Sequence, residues 1–265
     1  MSDPVRPADL ETSAALDFAA LDLDFEGFRR LARNPHLSQH QKIGFPDSYR
    51  EGFEDAIAAD ILAKLPMLAA AENQTVLDIG PGCARLPRLI IDLCRQRRHT
   101  IVLVDSEEML AQLPDIEGVT RKCAGRFPDN HAQVLAALGR PADAILCYSV
   151  FHYIYVEADP FAFVDAVAAL LATQGRALVG DIPNLSKRRR FFASETGAAF
   201  HKAFTGSDTP PEVPGPQPAP GKIDDAVLAG LVQRAQAAGC DAYVLPQARD
   251  LPMANRRDDL LIARP

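Results

Sequence analysis

Asp78, Gly80, Gly82 and Asp105 are the residues whose types and spacing point most directly to chemistry. Glycines in a turn let backbone N–H groups approach a ligand closely, and a carboxylate at the end of a strand can accept hydrogen bonds from the hydroxyls of a ribose. A dinucleotide site would need a third glycine in the spacing G-x-G-x-x-G, but that position is Arg85. The pattern therefore predicts a nucleoside site and disfavours a site for NAD.

A strand, a helix and a second strand position these residues. The segment TVLDI at 75–79 is apolar and β-branched and ends at a glycine turn, which predicts a short buried strand. Residues 84–98 place their leucines and isoleucine at helical spacing, with basic residues gathered at the C-terminal end. The segment TIVLV then predicts a second strand that stops at Asp105. The unit is a strand, a glycine turn, a helix, a strand and a carboxylate.

This unit resembles the first two motifs of class I S-adenosylmethionine-dependent methyltransferases, with Ala84 where that family usually has glycine. The resemblance implies that S-adenosyl-L-methionine is the cofactor, that Asp78 faces its methionine ammonium, and that Asp105 holds its ribose. The cofactor-binding residues that it implies are Tyr49, Asp78, Gly80, Pro81, Gly82, Asp105, Ser106, Met109, Gly125, Arg126, Tyr148, Ser149 and Val150. The family often has an acid for the adenine amino group after the third strand, but here those positions are Gly125 and Arg126.

Five further strands and their connections predict the fold class. Strands are expected at 119–123, 144–149, 176–181, 243–245 and 259–263, with helices at 54–65, 160–171 and 226–238 and a helix starting at Ser106. We expect Gly175 to end the helix before the fifth strand. The expected architecture is α/β: a Rossmann-like, seven-stranded, mostly parallel sheet with an antiparallel last strand.

Three parts of the chain are expected. Residues 1–53 are expected to form an N-terminal helical arm and a cofactor lid. We expect the helix of the arm to break at Gly27. Gly44, Phe45 and Tyr49 are the candidates for the lid, although a hydrophobic staple explains these three residues at least as well. Residues 54–183 and 223–265 form the α/β core. Residues 184–222 form a substrate cap after the fifth strand, and their proline-rich stretch at 209–221 predicts an extended loop.

The residues that follow the fourth and fifth strands are the candidates for catalysis. An alcohol that attacks a methyl group becomes more acidic, so a group that takes its proton near neutral pH assists the reaction. His152, His201 and Asp181 are the candidates, and we expect the two histidines on opposite sides of one pocket; the other four histidines are interpreted as structural or solvated. For the acceptor, the resemblance implies Tyr153, Asn184, Arg189 and Glu195. The basic run at 187–190 is either a cationic wall for a phosphorylated acceptor or a solvated face.

Composition restricts the partners. The net charge is −7 and the only dense basic cluster is the run at 187–190, which disfavours an extended nucleic-acid or membrane surface. Five scattered cysteines without a C-x-x-C pair predict no metal site and a reducing, cytoplasmic location. We expect no signal peptide and no membrane span. A small molecule is the expected partner, and the sequence leaves a homodimer open.

The expected activity is methyl transfer to a small polar acceptor. Segments such as KIGFPDSYREG and GDIPN, the cap and the closing LPQ to NRRDDLLI run resemble bacterial methyltransferases of surface-polysaccharide or unusual-sugar biosynthesis, which implies O-methylation of a sugar, a sugar nucleotide or a natural product. Alternatives are an N-methyltransferase of a small amine and a non-catalytic, nucleoside-binding regulatory subunit. An oxidoreductase of the short-chain type is disfavoured, because no tyrosine has a lysine four residues later.

Overall fold

The computed structural model describes residues 23–213, 215, 217 and 219–265, and for Ser48 and Tyr49 it describes the backbone only. Strands and helices alternate along the chain from residue 75 onward. The strands are β1 (Thr75–Ile79), β2 (Thr100–Asp105), β3 (Thr120–Ala124), β4 (Ala142–Tyr148), β5 (Leu171–Pro183), β6 (Asp241–Pro246) and β7 (Arg257–Ala263). Each of the seven predicted strands is therefore present.

The seven strands form one sheet in the order β3-β2-β1-β4-β5-β7-β6. The first five strands pair in parallel, whereas β7 pairs antiparallel with both β5 and β6. The predicted Rossmann-like fold with an antiparallel last strand is confirmed. Because the parallel strands all end at the same edge, the residues that follow β1, β2, β4 and β5 are brought together there.

Helices precede the sheet, connect its strands and follow β5. They are α1 (Phe25–Arg33), α2 (Gln39–Lys42), α3 (Asp47–Arg50), α4 (Glu54–Lys64), α5 (Met67–Ala70), α6 (Arg85–Gln96), α7 (Glu107–Leu110), α8 (His131–Leu138), α9 (Phe151–Glu157), α10 (Pro160–Leu170), α11 (Leu185–Phe192), α12 (Glu195–Thr205) and α13 (Asp225–Ala237). Among the described residues, no helix is long and apolar enough to span a membrane.

Apolar residues cover both faces of the sheet, as the near-continuous hydrophobic strands require. On one face, β1 and β2 pack with α4 and α6 through residues such as Ile61, Ile90 and Val76. On the other face, helices α8, α10 and α13 cover the strands, with Phe163 and Leu231 fully buried. The two helical layers fix the edge at which the strands end.

Two sequence predictions about glycines are wrong. Helix α1 runs through Gly27 without a break, because Gly27 lies in the first turn, where its amide donates to the Asp24 carboxylate over 2.6 Å. Gly175 does not end α10, which stops at Leu170; Gly175 lies inside β5 instead. The part of the predicted arm before residue 23 lies outside the described residues.

Candidate functional site

The loop after β1 can be built only with glycines. Gly80 and Gly82 have φ values of +67° and +66°. A β-carbon on Gly80 would lie 2.7 Å from the Val150 side chain, and one on Gly82 would lie 2.6 Å from Cγ2 of Ile43. Val150 and Ile43 therefore leave no room for side chains at these two positions of the loop.

The carboxylate of Asp105 is fixed at the end of β2 by backbone amides. It accepts hydrogen bonds from the amide of Gly82 over 2.9 Å and from the amide of Ser106 over 2.6 Å. Burial raises the pKa of Asp105 to about 6, against the lowering effect of these two hydrogen bonds. The Ser106 hydroxyl accepts from the amide of Met109 and so caps α7, as the sequence predicts.

Asp78 differs from its expected place. It is buried in β1, 3% exposed, and it does not line the cavity beside the loop. Burial, with the charge of Asp105 as a second cause, raises the pKa of Asp78 to about 8. Asp78 is therefore a buried residue of β1 that does not line this cavity.

A large cavity opens at the carboxyl edge of the sheet, beside the glycine loop. It holds about 1110 Å³ of empty space, including the solvent at its mouth. Eleven of the predicted site residues line it: Gly80, Pro81, Gly82, Asp105, Met109, Gly125, Arg126, Tyr148, Ser149, Val150 and Tyr153. We call it the main cavity.

The N-terminal arm lies over the main cavity. Phe28 of α1 contacts Tyr153 of α9 edge to face, with ring centroids 4.7 Å apart. Arg29 pairs with Glu108 of α7 over 2.9 Å, and this bond is the largest cause that lowers the pKa of Glu108 to about 2. The arm is thus tied to the core on both sides of the cavity. The side chain of Tyr49, a predicted lid residue, lies outside the described part of the chain.

The side of the cavity beyond Asp105 contains a carboxylate that the sequence did not reveal. Arg126 pairs with Glu157 over 2.7 Å and lies 5.2 Å from the centroid of the Phe25 ring. Glu157 also accepts from the amide of Phe25 over 3.1 Å, and all three residues line the main cavity. Glu157 comes from the end of α9, so only the fold brings it close to Gly125 and Arg126, where no acid occurs in sequence.

His40 is a second residue that sequence reasoning missed. The ring lies between two carboxylates: Nδ1 is 3.0 Å from Asp47, and Nε2 is 2.5 Å from Glu54. His40 and Glu54 both line the main cavity. The interpretation of His40 as structural or solvated did not place it at this cavity. The serine that caps α2, Ser38, also donates to Asp47 and helps to hold the group.

A smaller cavity adjoins the main one. It has room for about one water molecule and is lined by Phe45, Arg50, Ile57, Tyr148, Asp181, Gln247, Leu251, Pro252 and Met253. Three of these residues, Phe45, Arg50 and Tyr148, also line the main cavity. The Arg50 guanidinium lies 4.4 Å from the Phe45 ring centroid and 5.8 Å from that of Tyr148. These three side chains form a shared wall between the two cavities.

Asp181 lies in the small cavity, where β5 is irregular. The pairing of β5 with β7 shifts between Val179 and Ile182, and Asp181 has a φ of +59°. Its carboxylate is 3.3 Å from Arg50 and also accepts from the Ser149 hydroxyl. Burial acts to raise the pKa of Asp181, but Arg257, Arg50 and the Ser149 hydroxyl outweigh it, so the pKa lies below its ordinary value. Asp181 is therefore an ionised hydrogen-bond acceptor at neutral pH.

The structure brings neither His152 nor His201 to the two cavities described above. His152 lines neither cavity, and its buried Nδ1 has no hydrogen-bond partner among the described residues. Burial is the main cause that lowers the pKa of His152 to about 3, and the ring lies 4.0 Å from that of Tyr153. His201, on α12, contacts Phe192 edge to face and also lines neither cavity.

The remaining candidates have structural contacts within or beside the cap. Asn184 caps α11 by accepting from the amide of Lys187, and its amide nitrogen donates to Asp225 and Asp258. Arg189 donates to a loop carbonyl 26 residues later. Glu195, exposed, begins α12. None of these three lines either cavity.

The basic run is partly neutralised within the protein. Lys187 pairs with Asp258 over 2.6 Å, and Arg190 pairs with Asp225. Arg188 lies 5.9 Å from the centroid of the Phe192 ring. The run therefore attaches the cap to β7 and α13, and it does not form a wall of either cavity.

Known structures share this fold. No protein-family profile and no curated protein matches the chain. The plantazolicin methyltransferase BpumL in complex with SAH aligns with 91% of this chain and 96% of its own, at 12% identity and a TM-score of 0.54. The plantazolicin methyltransferase BamL, in complex with a triazolic desmethylPZN analog and SAH, aligns with 82% of this chain and 87% of its own, at 13% identity and a TM-score of 0.53.

An O-methyltransferase family protein from Burkholderia thailandensis aligns with 86% of this chain at 17% identity and a TM-score of 0.46. This chain spans 63% of the length of that protein. The alignments with the two plantazolicin enzymes show that the chain has the fold of these methyltransferases.

Proposed function

We propose that the chain is an S-adenosyl-L-methionine-dependent methyltransferase that acts on a hydroxyl group of a small polar acceptor. The observation that carries the proposal is the hydrogen bond between the Gly82 amide and the Asp105 carboxylate at the edge of the main cavity. It joins the two sequence motifs at one place, and both residues line the main cavity. The fold shared with SAH-bound methyltransferases supports the same proposal.

The residues present fit the cofactor. Gly80, Pro81 and Gly82 line the main cavity, so a ligand there can approach the loop that follows β1. Asp105 would accept hydrogen bonds from the ribose hydroxyls, and Met109 and Phe127 supply apolar lining for the adenine. Arg50, which lines the same cavity, would pair with the carboxylate of the methionine part.

When bound, the cofactor would supply a methyl group attached to its positively charged sulfur. The sulfur would keep the bonding electron pair and become a neutral thioether. The protein mainly has to orient the acceptor, and well-oriented approach can lower a barrier by roughly 7–11 kcal/mol. Asp181 accepts a hydrogen bond from the acceptor hydroxyl and receives its proton as the new C–O bond forms, before the proton passes to solvent. Of the three predicted proton acceptors, Asp181 lines a cavity that shares a wall with the main cavity.

The experiment is transfer of label from methyl-labelled S-adenosylmethionine to a panel of sugar nucleotides, natural-product scaffolds and small amines. The proposal predicts label in a hydroxyl-bearing acceptor and no label with the Gly82→Val variant. Transfer of the label to amines only would show that the protein methylates nitrogen and not oxygen. Cofactor binding without transfer to any member of the panel would favour the regulatory, nucleoside-binding subunit.

A further inference from the structure

An ion pair lines the main cavity next to the residue that follows β3. Arg126 is 2.7 Å from the carboxylate of Glu157 at the end of α9, and both residues line the cavity. The residue before Arg126 is Gly125, whose amide donates to the backbone carbonyl of Asp105 over 2.9 Å. The ion pair thus follows directly on the end of β2. A nucleoside whose ribose is held by Asp105 can therefore place its base beside this ion pair.

One face of α9 leads along the cavity to the ion pair. Val150, Ile154, Glu157 and Ala158 all line the main cavity, from the N-cap of α9 to its C-cap. Their spacing of four, three and one residues is that of a single helix face. Glu157 is the charged member of this row, so its carboxylate lies at the end of an apolar wall. A heterocyclic base has a matching division, because its flat face is apolar in contact and its edge carries the polar groups.

The ion pair presents a hydrogen-bond acceptor beside a donor. An ionised carboxylate only accepts, and with about four lone-pair positions it can accept from a ligand and from protein donors together. The guanidinium of Arg126 only donates. Adenine has the complementary edge, a donating amino group next to an accepting ring nitrogen, which an asparagine or glutamine amide pairs with in nucleic-acid recognition. Glu157 and Arg126 offer the same acceptor and donor side by side.

Glu157 also attaches the N-terminal arm. Its carboxylate accepts from the amide of Phe25 at the start of α1 over 3.1 Å, and Arg126 lies 5.2 Å from the centroid of the Phe25 ring. Loss of the carboxylate would therefore weaken the binding of any ligand that the arm covers. A change in the preference for one base over another is what distinguishes recognition of the base from attachment of the arm.

We propose that Glu157 determines the specificity of the main cavity for its base: the carboxylate accepts a hydrogen bond from the amino group of the cofactor's adenine, while Arg126 donates to the adjacent ring nitrogen. This inference rests on the proposed methyltransferase function and names the residues that recognise the base. Both members of the ion pair are needed, and they come from segments about 30 residues apart that only the fold brings together.

Two ligands that differ only in the amino group test the proposal. One is S-adenosylhomocysteine, and the other is its analogue with purine in place of adenine, which has a hydrogen where adenine has the amino group. Calorimetry measures the affinity of the parent protein for each. The parent should bind S-adenosylhomocysteine at least about tenfold more tightly, because a site that uses a donor of its ligand discriminates against the analogue that lacks it. Equal affinities would overturn the proposal.

Variants assign the preference to Glu157. Glu157→Ala should reduce the ratio of the two affinities to within about threefold of unity, because the acceptor is removed. Glu108→Ala is the matched control: Glu108 attaches the arm through Arg29 and Arg33 but does not line the main cavity. It should weaken both ligands alike and keep the ratio of the parent. If Glu157→Ala also keeps that ratio, Glu157 only attaches the arm and the proposal is overturned.

Glu157→Gln extends the test to a side chain of nearly the same shape. A neutral amide oxygen accepts a weaker hydrogen bond than a carboxylate, so the ratio of affinities should fall at least about threefold below that of the parent. An unchanged ratio in Glu157→Gln would count against the proposal in the same way, and this variant decides the matter if Glu157→Ala does not fold.

The same titrations separate this inference from the proposed function. If S-adenosylhomocysteine does not bind the parent protein, the methyltransferase proposal itself fails. If it binds and the preference for the amino group is absent from the parent or retained in Glu157→Ala, only the role of Glu157 fails.

Discussion

The carboxylate of Asp105 accepts a hydrogen bond from the backbone amide of Gly82 over 2.9 Å, and this contact joins residues 23 positions apart in sequence. It connects the loop after β1 to the end of β2 at the rim of the main cavity. The carboxylate thereby orients the loop and keeps lone pairs that a ligand hydroxyl can use.

Asp105→Ala should weaken binding of S-adenosylhomocysteine by about 1.5–3 kcal/mol, or roughly 10- to 100-fold, because a charged acceptor of hydrogen bonds is lost. Calorimetry measures the change. Because burial raises the pKa of Asp105 to about 6, the affinity of the parent protein should also fall as the pH drops below about 6. Asp115→Ala is the control, since the Asp115 side chain is 83% exposed. Equal affinity in Asp105→Ala and Asp115→Ala would contradict the role of Asp105.

Gly82→Val should weaken cofactor binding at least as strongly as Asp105→Ala. Its β-carbon would lie 2.6 Å from the side chain of Ile43, so the arm over the cavity would have to shift. Gly118→Val is a matched control, because Gly118 also has a positive φ, of +75°, but has no atoms within 4 Å of the added β-carbon. Both variants contain backbone strain, so a loss of binding confined to Gly82→Val isolates the contact with the arm. A similar loss of cofactor binding in both variants would refute the importance of the contact between residue 82 and the arm.

Asp78→Asn should stabilise the protein without ligand at alkaline pH. The pKa of Asp78 is raised to about 8 by burial, above its unfolded value of 3.8, so the folded state holds a proton that the unfolded state has released. The free energy of unfolding of the parent therefore falls as pH rises from about 4 to about 8, whereas an asparagine does not titrate. The difference in the free energy of unfolding between Asp78→Asn and the parent should be on the order of a few kcal/mol larger at pH 8 than below about pH 4, where this contribution vanishes.

Denaturant titrations at pH 4 and pH 8 measure this difference. Asp92→Asn is the control, because the Asp92 side chain is 55% exposed on α6. A parent protein that gains stability relative to Asp78→Asn between pH 4 and pH 8 would show that the direction of the pKa shift is wrong.

Asp181→Asn should reduce turnover by about 10²- to 10⁴-fold with cofactor affinity unchanged, because the group that takes the acceptor proton is lost. His152→Gln should leave turnover within about threefold, since His152 lines neither cavity and so does not contact an acceptor placed beside Asp181. Labelled-methyl transfer rates under saturating cofactor compare the two. The reverse order of effects would return the role of base to His152.

The periodic parts of the fold were predictable from the sequence because each depends on local pattern. The strand that ends at Asp105 and the cap at Ser106 follow from β-branched runs and a serine before acidic residues. The short helix α8 was not predicted. The prediction of a helix break at Gly27 failed because the loss of helix stability caused by a glycine depends on its position. A glycine in the first turn, whose amide donates to the N-cap aspartate, is tolerated.

The candidate site was predictable where it follows strand ends, and less so elsewhere. Gly80, Asp105 and Tyr148 are placed by the parallel sheet, whose carboxyl ends meet at one edge. His40, Arg50 and Glu157 reach the cavities only because the arm and α9 fold over that edge, and no local pattern encodes such packing.

The most direct test of the account is isothermal titration calorimetry of the purified protein with S-adenosylhomocysteine and, separately, with NAD. The account predicts one S-adenosylhomocysteine site per chain, weakened by Asp105→Ala and by Gly82→Val, and no binding of NAD because the third glycine of a dinucleotide loop is absent. Binding of NAD without binding of S-adenosylhomocysteine would contradict the assignment of the main cavity.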